Sequence, residues 1–85
     1  MNKHIIITRR ILEEIQHFKK MAENNDQVDV ISTIVENKNC GIFITQENGR
    51  IVNIDCLAVA ITKSNEFFCL DFNFRHRYFD LSQVV

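Results

Sequence analysis

The stretch from residue 67 to residue 79 constrains the fold most. The whole chain has seven Phe and one Tyr, and six of these aromatic residues lie in this stretch. In an extended strand, successive side chains point to opposite faces. One face then carries mostly large apolar groups: Phe68, Leu70, Phe72, Phe74, His76 and Tyr78. The other face is chemically mixed: Cys69, Asp71, Asn73, Arg75 and Arg77. Aromatic side chains bury the most area, so the sequence predicts that the apolar face forms the core and the mixed face remains available.

Length and composition exclude several classes of protein. A chain of 85 residues with 46% hydrophobic content has room for one core, so we expect a single small domain over residues 1–85. The net charge of −1 gives no overall attraction to nucleic acid. No apolar run approaches the roughly 20 residues that span a membrane. We expect a cytoplasmic protein from an AT-rich gene of a bacterium, phage or other mobile element, as the frequent Ile, Asn and Lys residues indicate.

The most regular helical pattern covers Thr8 to Asn24. Apolar residues recur there at the spacing of one helical face: Ile11, Leu12, Ile15, Phe18 and Ala22. Arg9 and Glu13, and likewise Arg10 and Glu14, stand four residues apart and can pair on the opposite side. The segment Gln27 to Asn37 is ambiguous, since it combines helical spacing with many strand formers. We favour a short second helix there, with a strand as the alternative.

The second half of the sequence is typical of β-structure. Asn48-Gly49 predicts a hairpin with a two-residue loop between a strand over residues 42–46 and a long strand over residues 51–62. A turn at residues 63–66 then returns the chain beside the long strand. The sequence therefore predicts an α+β fold, in which one or two N-terminal helices pack on a three-stranded antiparallel meander.

The register of the last two strands follows if their turn is centred between Ser64 and Asn65. This centre pairs Ile61 with Phe68, Val59 with Leu70 and Leu57 with Phe72, which forms a coherent core layer. It also turns Asp55 toward that layer, so we expect a β-bulge in residues 53–56 to correct the alternation. The reverse face of the sheet is too apolar to stay in water. We expect a second helix, a second copy of the chain or another protein to cover it.

A cluster of cationic and aromatic residues near the C-terminus is the main candidate site. The residues expected to contact a partner are Asp71, Asn73, Arg75, Arg77, Tyr78 and Phe79. Arginine and aromatic side chains are enriched at the energetic centres of protein interfaces. The same residues could hold phosphate or stack on bases, and a solvated strand face carrying Arg75 and Arg77 is the plainest alternative.

The sequence gives little indication of a catalytic site or a metal site. Cys40, Cys56 and Cys69 have no C-x-x-C spacing, and the expected pairing leaves no histidine beside Cys56 or Cys69. His76 with a carboxylate such as Asp55, Asp71 or Asp80 has no evident cleft in so short a chain. We therefore expect no enzyme activity, cofactor or metal.

The sequence favours a non-enzymatic protein that binds another protein stoichiometrically through one face or edge of its sheet. An inhibitor, immunity protein or adaptor fits this size, and the partner could be a second copy of the chain. The alternative is a nucleic-acid-binding protein that uses Arg75, Arg77 and Tyr78.

Overall fold

The structure is a computed structural model that describes residues 6–25 and 27–85. Its elements in chain order are helix α1 (Arg9–Glu23), strands β1 (Val28–Thr33), β2 (Gly41–Thr45), β3 (Ile51–Thr62), β4 (Glu66–Asp71) and β5 (His76–Asp80), and a 3-10 turn (Leu81–Gln83). The α+β class is confirmed. The expected three-stranded meander is wrong, because β1 and β5 extend the antiparallel sheet to five strands.

Helix α1 forms as its periodicity predicts. The Thr8 hydroxyl oxygen caps it by accepting a hydrogen bond from the N–H of Ile11 at 3.2 Å. The buried positions Ile15, Phe18 and Ala22 follow helical spacing and lie on the face that packs against β1 and β3. On the solvent side, Arg9 and Glu13 form an exposed ion pair at 3.3 Å, and pairs of this kind contribute little to stability.

The favoured second helix over residues 27–37 is wrong. Val28–Thr33 is strand β1, which pairs antiparallel with the second half of β3 from Val28 beside Thr62 to Thr33 beside Ala58. The helical spacing of the apolar residues is outweighed here because β3 offers an unpaired edge, and β-branched residues fit a pleated sheet well. A β-bulge between Val30 and Ser32 interrupts the pairing.

Strand β3 is the centre of the sheet. Its second half lies between β1 and β4, and its first half pairs with β2. The chain's last residues also return to β2, since Val84 bridges Ile44 and the N–H of Val85 donates to the Phe43 carbonyl at 2.9 Å. Because Val84 and Val85 come only a few positions after β5, the sheet is curled, and the β2–β3 hairpin lies near the end of β5.

The turns between β2 and β3, between β3 and β4, and between β4 and β5 have the same form. Each is a three-residue loop whose last residue has a positive φ. The loops end at Gly49 (φ 81°), Asn65 (φ 63°) and Phe74 (φ 60°). Gly and Asn adopt this conformation readily, but an aromatic residue rarely does. The predicted hairpin at Asn48-Gly49 is confirmed as the β2–β3 connection, but its loop has three residues, 47–49, instead of the expected two, and it is closed by a hydrogen bond from the Gln46 N–H to the Arg50 carbonyl at 2.8 Å.

The predicted register of β3 and β4 is wrong by one residue. Ile61 pairs with Phe67, Ala60 with Phe68 and Val59 with Cys69. The cause is the loop that ends at Asn65, which has three residues instead of the two that the prediction assumed. The expected β-bulge is present, but it lies at Leu57, between the pairs of Cys56 with Asp71 and Ala58 with Leu70.

The stretch from residue 67 to residue 79 is two strands instead of one, because the chain turns after Asp71. The expected contrast between a buried and an available face is also wrong for β4, where Phe68, Cys69, Leu70 and Asp71 are all buried. Phe18 of α1 covers Phe68, with ring centroids 5.0 Å apart. The other face joins the same core, to which the β2–β3 hairpin contributes Ile42, Ile44 and Ile54.

No helix in residues 6–25 and 27–85 is long and apolar enough to cross a membrane.

Candidate functional site

A shallow groove lies between the first half of β3 and the turn that joins β4 to β5. Its volume is about 480 Å³. Seven residues line it: Asn53, Ile54, Asp55, Asp71, Phe72, Asn73 and Arg77. We call it the Arg77 groove. Three of the six residues predicted to contact a partner, Asp71, Asn73 and Arg77, therefore meet at one place.

Asp71 holds one wall of the groove in shape. Its side chain is buried, and the carboxylate oxygen Oδ1 accepts hydrogen bonds from the backbone N–H groups of Asn73 at 2.8 Å and Arg75 at 3.0 Å. A carboxylate that bonds its own following backbone is a recurrent turn device. The role of Asp71 in this structure is thus to fix the turn that carries Phe72 and Asn73.

The opposite wall is held in a similar way. The amide nitrogen Nδ2 of Asn53 donates to the carboxylate of Asp55 at 2.9 Å. Both residues belong to the first half of β3, which pairs with β2. Asp71 in one wall and Asn53 with Asp55 in the other are therefore held by hydrogen bonds to nearby groups, and these bonds fix the shape of the groove.

Arg77 is the exposed cation of the groove. Its guanidinium carbon lies 5.3 Å from the ring centroid of Phe79, two residues along the same strand. Phe79 is buried and belongs to the core. An arginine held against an aromatic ring keeps most of its N–H donors free for a ligand while losing conformational freedom in advance.

Exposed apolar residues flank the groove. Phe72, which the sequence placed on the core face, is 39% exposed at its edge. On the outer face of the β2–β3 hairpin, Phe43 and Ile51 are 54% and 56% exposed, and Phe43 pairs with Asn53 of the groove wall. The sequence does contain a signal that Phe72 lies in a turn and not on the core face of a strand. Its neighbours Asp71 and Asn73 are residue types that favour turns.

The remaining predicted residues lie elsewhere. Arg75 is exposed in the turn outside both strands. Tyr78 follows Arg77 in β5 and so points to the opposite face, where its ring stacks on Phe68 at a centroid distance of 5.5 Å. Since Phe79 is buried, the structure does not gather Arg77, Tyr78 and Phe79 into one stacking surface.

The three thiols are buried close to one another, an arrangement that the sequence did not predict. The N–H of Cys56 donates to the carbonyl of Cys40 at 3.1 Å. A hydrogen bond with Cys69, followed by burial, raises the pKa of the Cys56 thiol. The same hydrogen bond and the Arg77 guanidinium lower the pKa of Cys69 against the opposing effect of burial. Complete burial keeps Cys56 and Cys69 from external reactants.

In the part of the chain that the structure describes, His76 packs against aromatic rings and no cluster of metal-binding side chains is present. The His76 ring lies against Phe18 and Phe68, at centroid distances of 5.9 and 6.3 Å. No group of three or more His, Cys, Asp or Glu side chains among the described residues could hold a metal ion.

Two further depressions are less suited to binding. One of about 470 Å³ lies between the end of α1 and β1, where Lys19 and Glu36 already form an ion pair at 3.3 Å. The other, about 640 Å³, is lined mainly by polar hairpin residues around Glu47 and Asn48. Comparisons of the chain with protein-family models, curated proteins and solved structures find no match.

Proposed function

We propose that this chain is a non-enzymatic protein-binding module that contacts its partner through the Arg77 groove. The observation that carries the proposal is the exposed guanidinium of Arg77, fixed against Phe79 and flanked by exposed Phe72 in a groove with well-defined walls. Arginine and aromatic residues supply a large share of the energy at protein interfaces.

The adjoining hairpin extends the proposed contact surface. Phe43 and Ile51 lie on the outer face of the same β-structure that forms one groove wall. Exposed apolar residues next to a polar groove resemble the arrangement of an interface centre with its rim. A partner that inserts one side chain beside Arg77 could thus also cover this outer face.

An inhibitor, immunity protein or adaptor acting in the cytoplasm of a bacterium, or encoded by a phage or other mobile element, is the narrower form of the proposal. It rests on the small size of the chain and its lack of recognisable catalytic motifs. Binding by a preformed groove requires no covalent step, so such a protein would act by occupying its partner and not by modifying it.

The proposal is tested by selecting peptides from a random phage-displayed library on the immobilised protein. Arg77→Ala and Phe72→Ser are the groove variants, and Lys63→Ala is the matched control because Lys63 is exposed in the β3–β4 turn, outside both the groove and the β2–β3 hairpin. We expect selected peptides to bind the control normally and to lose roughly tenfold in affinity or more on either groove variant. Peptides that bind all variants equally, or no enrichment after repeated rounds, would overturn the proposal.

Nucleic-acid binding is the competing outcome. Fluorescence anisotropy with a labelled single-stranded oligonucleotide, measured across a salt series, distinguishes it, because phosphate contacts give an affinity that falls steeply with salt. We expect no binding even at low salt. Steeply salt-dependent binding that an Arg75→Ala and Arg77→Ala double variant abolishes would replace the protein partner by nucleic acid.

A further inference from the structure

We propose that β5 pairs edge to edge with β5 of a second copy of this chain, antiparallel and centred on Tyr78. This inference goes beyond the groove and does not rest on it. In the strand order β1-β3-β4-β5, the last strand pairs only with β4 among the described residues. Its other edge therefore presents backbone groups that a further strand can use.

The direction of those backbone groups follows from the turn before β5. The N–H of Asp71 donates to the carbonyl of Arg75, so these two residues form a hydrogen-bonded pair. Such pairs alternate along an antiparallel ladder. The backbone groups of Arg77 and Phe79 then face β4, and those of His76, Tyr78 and Asp80 face outward. The N–H of Asp80 agrees with this, since it bonds the Gln83 side chain at 3.1 Å instead of β4.

An outward-facing residue at the centre is what two-fold pairing requires. With Tyr78 on the axis, the two Tyr78 residues exchange both of their backbone hydrogen bonds, as a hydrogen-bonded pair does. His76 then lies opposite Asp80 of the second copy, and Asp80 opposite the second copy's His76. Arg77 comes opposite Phe79 of the second copy, on the same face as its own contact with Phe79 at 5.3 Å.

The sequence of β5, His-Arg-Tyr-Phe-Asp, is therefore complementary to itself when reversed. Its cationic and titratable basic groups stand at one end and its carboxylate at the other, so antiparallel pairing places unlike groups together. A shift of two residues toward the C-terminus would place the two Asp80 carboxylates opposite each other. A shift toward the N-terminus would pair Tyr78 with Phe74, which has a positive φ and lies outside the strand.

The β1 edge of the sheet is irregular and the β5 edge is regular, so β5 is the better edge for pairing with a second copy. The β1 edge is interrupted by a bulge between Val30 and Ser32, a feature that hinders pairing with another chain. The register of β5 with β4 runs without a shift through five pairs. Tyr78 is 62% exposed, yet its ring is already held on Phe68. Helix α1 packs mainly on β1 and β3, and it reaches β5 through the His76 ring, which lies 5.9 Å from the Phe18 ring on one face of the strand and not at its edge.

Crosslinking tests the axis directly. Residues in a hydrogen-bonded antiparallel pair have Cα atoms about 5.5 Å apart, which is within reach of a disulfide. The native Cys40, Cys56 and Cys69 are buried, so an introduced thiol reacts selectively. We expect Tyr78→Cys to form a covalent dimer rapidly under mild oxidation, and Ser64→Cys, in an exposed turn away from β5, to remain mostly monomeric.

Sedimentation velocity over a range of concentrations supplies the second measurement. The native chain should associate to a dimer, and Tyr78→Pro should raise its dissociation constant roughly tenfold or more, since proline removes an N–H that only the dimer uses. Circular dichroism shows whether that variant folds, and Phe72→Ser should dimerise normally because it alters only the groove. A native chain that stays monomeric, or Tyr78→Cys crosslinking no faster than Ser64→Cys, would overturn the proposal.

Discussion

The two halves of β3 belong to one strand but lie in different environments. In the second half, Cys56 to Ala60 are each 2% exposed or less, so both faces of the strand are buried. In the first half, exposed Ile51 and Asn53 alternate with partly buried Val52 and Ile54. The second half has β1 and β4 beside it, whereas the first half has β2.

The difference shows that the neighbours of a strand, more than its own composition, decide how many of its faces are buried. Both halves are rich in apolar residues. The first half keeps the alternation of a sheet with one solvated face. The second half has small and branched side chains, such as Ala58 and Ala60, which fit beneath the Phe68 and Phe18 layer.

Truncation of a buried leucine should give the largest effect. Leu57→Ala removes a fully buried side chain from the second half and should lower the free energy of unfolding by about 2 to 5 kcal/mol. The matched change in the first half, Ile51→Ala, should cost about 0.5 kcal/mol or less, since Ile51 is 56% exposed. Urea unfolding followed by circular dichroism measures both. Equal losses in the two variants would contradict the distinction between the halves.

The next largest effect should come from Asp71, which pairs with Cys56 where the two halves meet. Asp71→Ala leaves the N–H groups of Asn73 and Arg75 without their acceptor and should cost about 1 to 3 kcal/mol. Asp71→Asn keeps an acceptor oxygen and should cost less. If both variants unfold at the same urea concentration as the native chain, the carboxylate does not hold the turn.

A pH dependence should arise from Cys40, which also lies at this junction. Burial raises the pKa of its thiol above the ordinary value of 9.0. The unfolded chain therefore loses this proton first, so the stability contributed by the neutral thiol is complete below pH 9 and is lost as pH rises above it. The slope can reach about 1.4 kcal/mol per pH unit. Unfolding series between pH 7 and 10 should show a shallower decline for Cys40→Ala than for the native chain; identical slopes would exclude the effect.

The smallest effect should come from the groove wall in the first half of β3. Asn53→Ala removes an exposed hydrogen bond to Asp55 and should change stability by about 0.5 kcal/mol or less. Thermal unfolding checks this expectation. A large loss would mean that the first half depends on its outer polar contacts as strongly as the second half depends on its core.

Local sequence determined the elements whose interactions lie close together in the chain. Thr8 and the apolar spacing of Ile15, Phe18 and Ala22 specify α1, and Asn48-Gly49 specifies a hairpin, because the hydrogen bonds involved connect residues only a few positions apart. The candidate site was partly predictable for the same reason. Asp71, Asn73 and Arg77 are near neighbours in sequence, although their meeting with Asn53 and Asp55 is a long-range event.

Tertiary structure alone decided the rest. Whether residues 28–33 became helix or strand depended on the free edge of β3, which lies about 30 positions later in the chain. A loop longer by one residue at Asn65 shifted the β3–β4 register and changed which side chains share a face from Ala58 to Ile61. Burial of both faces of β4 needed α1 on one side and the curled hairpin on the other, because burial is a property of the layers that meet and not of the strand itself.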